Sequence, residues 1–407
     1  VPDLASALSR LYARIPLGMR LGLGPMQEAC ARTGHPERGV PVVHVAGTNG
    51  KGSVCAMVEA IARAEGLRVG LYTSPHMCRF AERIRIDGAA VDDAALAELL
   101  DRSLTVGPDL SFFEAATLAA MLAFHDAGVD LAILEVGLGG RLDATNVVPR
   151  PRAAAITRIA LDHTDRLGPT LVDIAREKAG IAKPGLDILL GDMVPAVRAA
   201  IDEVARANGA TTSTTEGAFV PRRIGLAGDH QRDNARIAAA LGARIGAAPR
   251  AVEDGIASVR WPGRLERIER DGRAYLLDAA HNPDGAEALA RHLRSLGLPP
   301  ERVALVFGTL ADKDWPSMLD ALAPLASTRI YVAPAGASRS AIDPAAMKAR
   351  HAGEIAMLDP ISAGSGLGAG EAWGAGASLV VIAGSIVLVG QARARLLDLP
   401  TDPAVAL

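Results

Sequence analysis

The chain has 407 residues, 49% of them hydrophobic and 22% charged, with a formal net charge of −3. That length exceeds one comfortable core, so two domains are expected, and the composition excludes a disordered chain. The near-neutral charge and the lack of a dense basic run exclude nucleic acid as the main partner. Three scattered cysteines, Cys30, Cys55 and Cys78, offer neither a disulfide framework nor a zinc site and fit a reducing cytoplasm. No charged start followed by an apolar run marks a signal peptide. The longest apolar segment, residues 379–389, is too short to span a bilayer and reads as a buried strand. The start at Val1 rather than methionine points to native residues upstream.

In chain order, Leu4, Leu8 and Leu11 share one side of a helical beginning within residues 1–40. Residues 41–61 then organise everything after them. Val42, Val43 and Val45 read as a buried strand, Gly47-Thr48-Asn49-Gly50-Lys51-Gly52-Ser53 follows, and Val54, Met57, Val58 and Ile61 recur at helical spacing. Strand, glycine loop with a lysine, and helix form the layout of a phosphate-binding loop. Its glycines let backbone N–H groups turn onto an anion, the helix N-terminus adds partial positive charge, and Lys51 supplies a full one. The spacing departs from G-x-x-x-x-G-K-[ST]: Val45 stands where the first glycine belongs, and Gly52 separates Lys51 from Ser53. Ser53 is therefore not assigned to magnesium on spacing alone, and an ordinary glycine-rich turn is the competing reading.

A second strand over 68–72 ends in Thr73-Ser74-Pro75-His76, and residues 79–86 alternate charged and apolar side chains. Helices are predicted over 94–104 and 112–125, and apolar strands over 129–136 and 153–159. Residues 170–180 and 231–241 read as helices, and 211–216 as a polar turn. Trp261-Pro262-Gly263-Arg264 interrupts the pattern and marks the expected boundary between domains 1–260 and 261–407. Beyond it, strands over 274–279, 303–307, 330–332 and 379–383 alternate with helices from Pro283 and near Met318. Residues 362–378, rich in Gly and Ala, read as a flexible loop. Strands separated by helices imply an α/β protein, with a mostly parallel first sheet covered on both faces and a smaller second α/β domain.

In open parallel sheets, ligands gather beyond the carboxyl ends of strands. Ser74, Glu135 and His163 all stand at such ends beside the glycine loop. A hydroxyl, a carboxylate and an imidazole there make a plausible magnesium site, although histidine is an uncommon ligand for so hard an ion. The plainer alternatives are a capping or salt-bridging Glu135 and a hydrogen-bonded loop His163. Lys178 shares an apolar helical stripe with Leu171 and Ile174. It reads either as a lysine snorkelling near a helix C-terminus or as a buried amine of lowered pKa, able to take up carbon dioxide as a carbamate. In the second domain Asp278 closes a strand, His281 follows in the turn, and Asn282 and Pro283 open a helix as cap and first residue. Arg264, just past the linker, can reach phosphate.

Gly47-Thr48-Asn49-Gly50-Lys51-Gly52-Ser53, Thr73-Ser74-Pro75-His76, the block from Leu134-Glu135 through Arg141-Leu142-Asp143-Ala144-Thr145-Asn146, and Asp162-His163-Thr164-Asp165 occur in that order. With Glu177-Lys178-Ala179-Gly180-Ile181, Pro262-Gly263-Arg264 and Asp278-Ala279-Ala280-His281-Asn282-Pro283, they resemble the folylpolyglutamate synthase/dihydrofolate synthase family of the Mur ligase superfamily. The resemblance spans residues 40 to 389 and includes the family's altered phosphate loop.

It implies an N-terminal P-loop ATPase domain and a smaller C-terminal Rossmann-like domain in a cytoplasmic monomer without membrane or nucleic-acid partners. It implies magnesium on Ser74, Glu135 and His163, and a carbamylated Lys178. ATP would lie on Thr48, Asn49, Gly50, Lys51, Gly52 and Ser53, with Asn234, Arg264, Asp278 and His281 completing the nucleotide site. Ser111, Phe112, Phe113 and Glu114, with Leu142, Asp143 and Ala144, fall where a pterin substrate is held. Arg232-Asp233 ahead of Asn234 is a departure from the family pattern that touches only local adenine contacts. Lys51, His163 and Lys178 are the implied catalytic residues. The implied reaction is ATP-dependent amide formation, through an acyl phosphate, between L-glutamate and dihydropteroate, folate polyglutamates or both. The competing readings are a Mur ligase acting on a nucleotide-linked cell-wall precursor and a non-catalytic nucleotide-dependent binding protein.

Overall fold

A computed structural model describes residues 3–15, 22–219, 221–334, 340–356 and 376–403. The strands fall into two sheets. The first holds, in chain order, β1 (Val42–Ala46), β2 (Val69–Tyr72), β3 (Ile84–Ile86), β4 (Ala89–Ala90), β5 (Leu131–Glu135), β6 (Ala153–Ile156), β7 (Asp187–Leu190) and β8 (Thr211–Thr214). The second holds β9 (Glu266–Arg270), β10 (Arg273–Asp278), β11 (Val303–Phe307), β12 (Thr328–Tyr331), β13 (Glu354–Ile355) and β14 (Leu379–Ala383).

The first sheet runs β4-β3-β2-β5-β1-β6-β7-β8, parallel from β2 to β8 and antiparallel only at the β3 and β4 edge. Helices cover both faces, so the central strands are buried at every position and read as continuous apolar runs. Alternation still decides where each side chain goes: Leu131 and Ile133 of β5 enter one apolar cluster, Ala132 and Leu134 the one on the opposite face. Fully burying one such Leu, Ile or Val stabilises the fold by roughly 1.5–3 kcal/mol. The helix Lys51–Ala64 descends from the glycine loop and packs against the helices His230–Ile245 and Pro249–Ser258. Gly255 permits that contact, because a Cβ there would sit 2.6 Å from the Ile61 backbone.

The second sheet runs β13-β12-β11-β14-β10-β9, parallel except for β9. Leu305 and Val381 face one cluster, Val306 and Ile382 the other. In both sheets the strands' carboxyl ends converge on one cleft.

Several elements differ from the sequence reading. Residues 379–389 are not one strand: β14 stops at Ala383, Gly384 adopts φ 113°, and Ser385 caps a helix over Ile386–Leu396 by accepting from Leu388 N–H. The cap overrides uniform apolarity. The polar turn at 211–216 is largely the edge strand β8, whose threonines suit a half-exposed strand. Strand β7, the helices Pro195–Ala207 and Pro249–Ser258, and antiparallel β9 went unread. The loop expected over 362–378 lies, through residue 375, outside the described residues. Among the described residues no helix is long and apolar enough to cross a membrane.

Candidate active site

The glycine loop leaves the end of β1 and turns sharply into the helix Lys51–Ala64. Gly47 takes φ 144°, and a Cβ there would lie 1.8 Å from Thr157 Oγ1; Gly50 takes φ 90° with Asn234 Oδ1 in the space a Cβ would fill. The loop is braced from β6: Thr48 N–H donates to Arg158 O (2.8 Å), Thr48 Oγ1 to Ala160 O (3.1 Å), and Thr157 Oγ1 to Asn49 O (2.7 Å). The first intrahelical bond is Val54 N–H to Gly50 O, so the amides just before it open onto the cleft as an anion site. Lys51 Nζ folds back to Thr48 O at 3.1 Å.

Gly52, the residue that breaks the common loop pattern, has a steric reason. A Cβ there would sit 3.0 Å from Trp261 Nε1 and 3.6 Å from Glu135 Oε2. Ser53 is buried and accepts from Gln231 Nε2 at 3.3 Å, and Asn234 Nδ2 donates to Gln231 Oε1 at 2.9 Å.

Every residue assigned to a metal, nucleotide, substrate or catalytic role in the sequence borders one cleft of about 690 Å³. Ser74, just past β2, and Glu135, at the end of β5, meet where Ser74 N–H donates to Glu135 Oε2 at 3.2 Å. Burial pushes the Glu135 pKa up, opposed by Lys51, the Ser74 amide and Arg264. A buried carboxylate with spare acceptor positions beside a hydroxyl suits the oxygen ligands that magnesium takes. His163 stands at φ 51° before the short helix Thr164–Leu167, its N–H on Asp162 Oδ1 at 2.9 Å. Among the described residues no three His, Cys, Asp or Glu side chains form a metal cluster, so any site here completes itself with hydroxyl, phosphate or water.

Lys178 lies in the last turn of the helix Leu171–Ala179, capped by the reciprocal Thr170–Asp173 pair. Only 4% of its surface is exposed, and burial, followed by the charge of Lys51, lowers its pKa to about 7. The glycine-rich segment after β5 clamps this turn. Arg141 N–H donates to Glu177 O (2.9 Å), Asn146 Nδ2 to Gly180 O (3.0 Å), and a Cβ on Gly140 would strike Lys178 O at 2.8 Å.

The side chains read as pterin contacts divide in two. Phe112, Phe113, Leu142 and Ala144 present apolar surface to the cleft. Ser111 and Glu114 pair as a capping box through Glu114 Oε2, Ser111 Oγ to Oε2 being 2.7 Å. Asp143 is saturated: Oδ2 accepts from Gly137 and Leu138 N–H, and Oδ1 from the amide and hydroxyl of Thr145. With its four acceptor positions filled, Asp143 organises the loop that it closes.

From the second sheet, Asp278 at the end of β10 accepts from Leu265 and Ala280 N–H at 2.9 Å each, and burial raises its pKa against the charge of Arg264. His281 Nδ1 lies 2.9 Å from Ala279 O, and its Nε2 faces Asp162 Oδ2 at 3.4 Å. Asp162 also takes Lys313 Nζ at 2.7 Å. Burial raises the Asp162 pKa, but His281, His163 and Lys313 outweigh it and hold it well below the usual carboxylate range. Sequence reasoning missed Lys313, Arg158 and Asp284 as a cross-sheet set. Their only signal was charge: Lys313 in a loop after a predicted strand, Arg158 near the end of the strand read over 153–159, and Asp284 in the first turn of the helix read from Pro283.

Two nucleotide-scale lobes around a phosphate loop, a buried lysine and a strand-end carboxylate define an ATP-dependent ligase, and comparisons with known proteins agree. Residues 45–192 match the Mur ligase middle domain and 263–365 the Mur ligase glutamate ligase domain. The chain is 38% identical over 331 residues to the dihydrofolate synthase/folylpolyglutamate synthase of Escherichia coli, covering 76% of this chain and 77% of that protein. It is 36% identical over 93% of its length to a probable bifunctional folylpolyglutamate synthase/dihydropteroate synthase of Halobacterium salinarum, and spans half the length of that protein. The structure of E. coli FolC in complex with DHPP and ADP superposes with a TM-score of 0.82 at 32% identity, covering 97% of this chain and 98% of that one. The chain belongs to the folylpolyglutamate synthase/dihydrofolate synthase family.

Proposed function

We propose that this ligase joins L-glutamate to dihydropteroate, to folate polyglutamates, or to both, as a cytoplasmic monomer. The observation that carries this reading is the meeting, in one cleft, of the loop amides, Glu135, Lys178 and an aromatic wall of Phe112 and Phe113. The first domain runs to residue 260 and the second from 261, the sheets on either side supplying opposite walls.

In this reading the substrate carboxylate attacks the γ-phosphorus of ATP, ADP leaves, and an acyl phosphate results. The amine of glutamate then attacks the acyl carbon, phosphate leaves, and the amine proton passes to solvent or a nearby base. Such chemistry needs chiefly positioning and neutralisation of charge. Lys51 and the loop amides hold the phosphates, while Asn234, Arg264, Asp278 and His281 border the nucleotide from both lobes. Mg²⁺ would be held by Ser74, Glu135 and His163 and would neutralise phosphoryl charge. Lys178, with its pKa lowered to about 7 so that a substantial share of the amine is neutral at that pH, would add to carbon dioxide with loss of a proton, giving a carbamate anion. The apolar wall takes the pterin and keeps water from the acyl phosphate. An assay with ATP and glutamate, offering dihydropteroate and tetrahydrofolate side by side, tests the reading. Absence of glutamate-dependent ADP release with both would end it.

A further inference from the structure

Arg83 is a cleft cation with no part in the scheme above. Arg83 ends the short helical turn Phe80–Arg83, is only 6% exposed, and borders the cleft beside Phe112. Its guanidinium carbon lies 5.1 Å from the centre of the Phe80 ring and 5.3 Å from that of Phe112. Arg83 Nε–H donates to His76 Nδ1 at 2.9 Å. The Tyr72 phenol accepts a hydrogen bond from the guanidinium. Among the described residues Arg83 makes no ion pair, and Glu135 acts on it only weakly from across the cleft.

A charge taken from water without a counter-ion is costly, and ring faces offset only part of that cost. The arrangement makes sense if an anion arrives with a ligand. His76 occupies Nε and the Tyr72 phenol takes a further hydrogen bond, which fixes the guanidinium plane and leaves the remaining Nη–H donors to present. A planar fork matches a carboxylate through paired, charge-assisted hydrogen bonds. Its place is between the aromatic wall, where a ring system would stack, and Glu135 at the phosphoryl end.

We propose that Arg83, held by His76 and the faces of Phe80 and Phe112, binds the acceptor substrate's carboxylate before it is phosphorylated. This rests on the folate reading of the cleft. Arg83 is then the residue that distinguishes a pterin bearing a free carboxylate from one that lacks it, independently of the nucleotide.

The test is equilibrium binding, with AMPPCP present, of dihydropteroate and of its carboxamide, which keeps the rings and loses the charge. Wild-type protein should prefer the carboxylate by about 10–100-fold, the scale of one charged hydrogen-bonded pair. Arg83→Gln should bind both compounds equally, close to the wild-type affinity for the carboxamide, with AMPPCP affinity unchanged. Arg83→Met keeps the packing length and should behave in the same way where the glutamine variant fails to fold. Equal wild-type affinity for the two compounds overturns the proposal alone, whatever the variants do. So does a variant that weakens both compounds alike, which would mark Arg83 as packing. Wild-type protein that binds neither compound overturns the folate reading and this proposal with it.

Discussion

Asn49 of the glycine loop and Asn282 of the second sheet's helix cap exchange side-chain amides. Asn49 Nδ2 donates to Asn282 Oδ1 at 3.1 Å, and Asn282 Nδ2 to Asn49 Oδ1 at 2.9 Å. The pair joins positions 233 apart in sequence. Asn49 Nδ2 also reaches Asp284 Oδ2 at 2.8 Å, and Arg158 clasps the same carboxylate. The loop expected to hold phosphate is thereby tied to the opposite lobe through its own side chain.

Asn282→Ser should separate capping from bridging. Serine caps a helix about as well as asparagine, so the helix Pro283–Ser295 should persist and stability change little. The exchange across the lobes would be lost, at about 0.5–1.5 kcal/mol per hydrogen bond. The expected result is a fall of roughly 5–30-fold in kcat/KM for ATP with Tm nearly unchanged. Steady-state kinetics beside a thermal melt decides it, and unchanged kinetics would make the pair incidental.

Asp162 and Lys313 form the charged counterpart of that bridge, their side chains 9% and 8% exposed. Removing one partner of a buried pair strands the other, at about 3–5 kcal/mol, so Lys313→Met should lower the urea midpoint substantially. The acid response has a defined sign. A carboxylate whose folded pKa lies below its unfolded value of about 3.9 contributes stability above that pH and loses it on further acidification. Asp162→Asn should flatten the wild-type decline below about pH 4. Urea titrations across pH 2–6 would show it, and parallel curves for the two proteins would refute it.

Lys51→Ala should lower turnover by roughly 10²–10³, the scale of losing one charge-stabilising donor. Among the described residues its amine hydrogen-bonds only the Thr48 carbonyl, so the fold should tolerate the change. Near-normal turnover by a folded variant would remove the loop from catalysis.

The glycine loop was legible because its requirements are local: a strand, glycines at positive φ and a helical stripe all lie within twenty-odd neighbouring residues. Strand-end positions Ser74, Glu135 and Asp278 were legible because parallel topology places strand ends together. Arg83 was hidden in the stretch 79–86 of alternating charged and apolar side chains, and only the tertiary fold turns it inward against Phe80 and Phe112. Asp143 shows a part that sequence alone did not offer. It borders the cleft as its place in the block suggested, and its four acceptor positions are filled by neighbours within six residues, which holds the loop in shape. The 379–389 run failed because apolar periodicity cannot divide a buried strand from the helix that follows it.

Lys178 carries the prediction that couples stability to chemistry. As a bare amine its pKa of about 7 lies far below the unfolded value near 10.4, because burial disfavours the cation. Between those values the unfolded chain holds a proton that the folded one has released. Stability should therefore rise with pH from about 7 to 10 and lie at its lower level below 7. Lys178→Met removes the penalty, so in bicarbonate-free buffer it should melt higher than wild type at pH 6, with the gap closing by pH 10. It should nonetheless be nearly inactive, since methionine cannot form a carbamate, and Lys178→Arg should fail for the same reason. Adding bicarbonate at pH 8 should raise wild-type activity and leave Lys178→Met unmoved, and a short carboxylate such as formate should partly restore Lys178→Ala. Melts and turnover recorded together, with and without bicarbonate, separate the two effects. An active arginine variant, or wild-type activity indifferent to carbon dioxide alongside density for a bare amine, would discard the carbamate and leave Lys178 as a destabilising cation without a role.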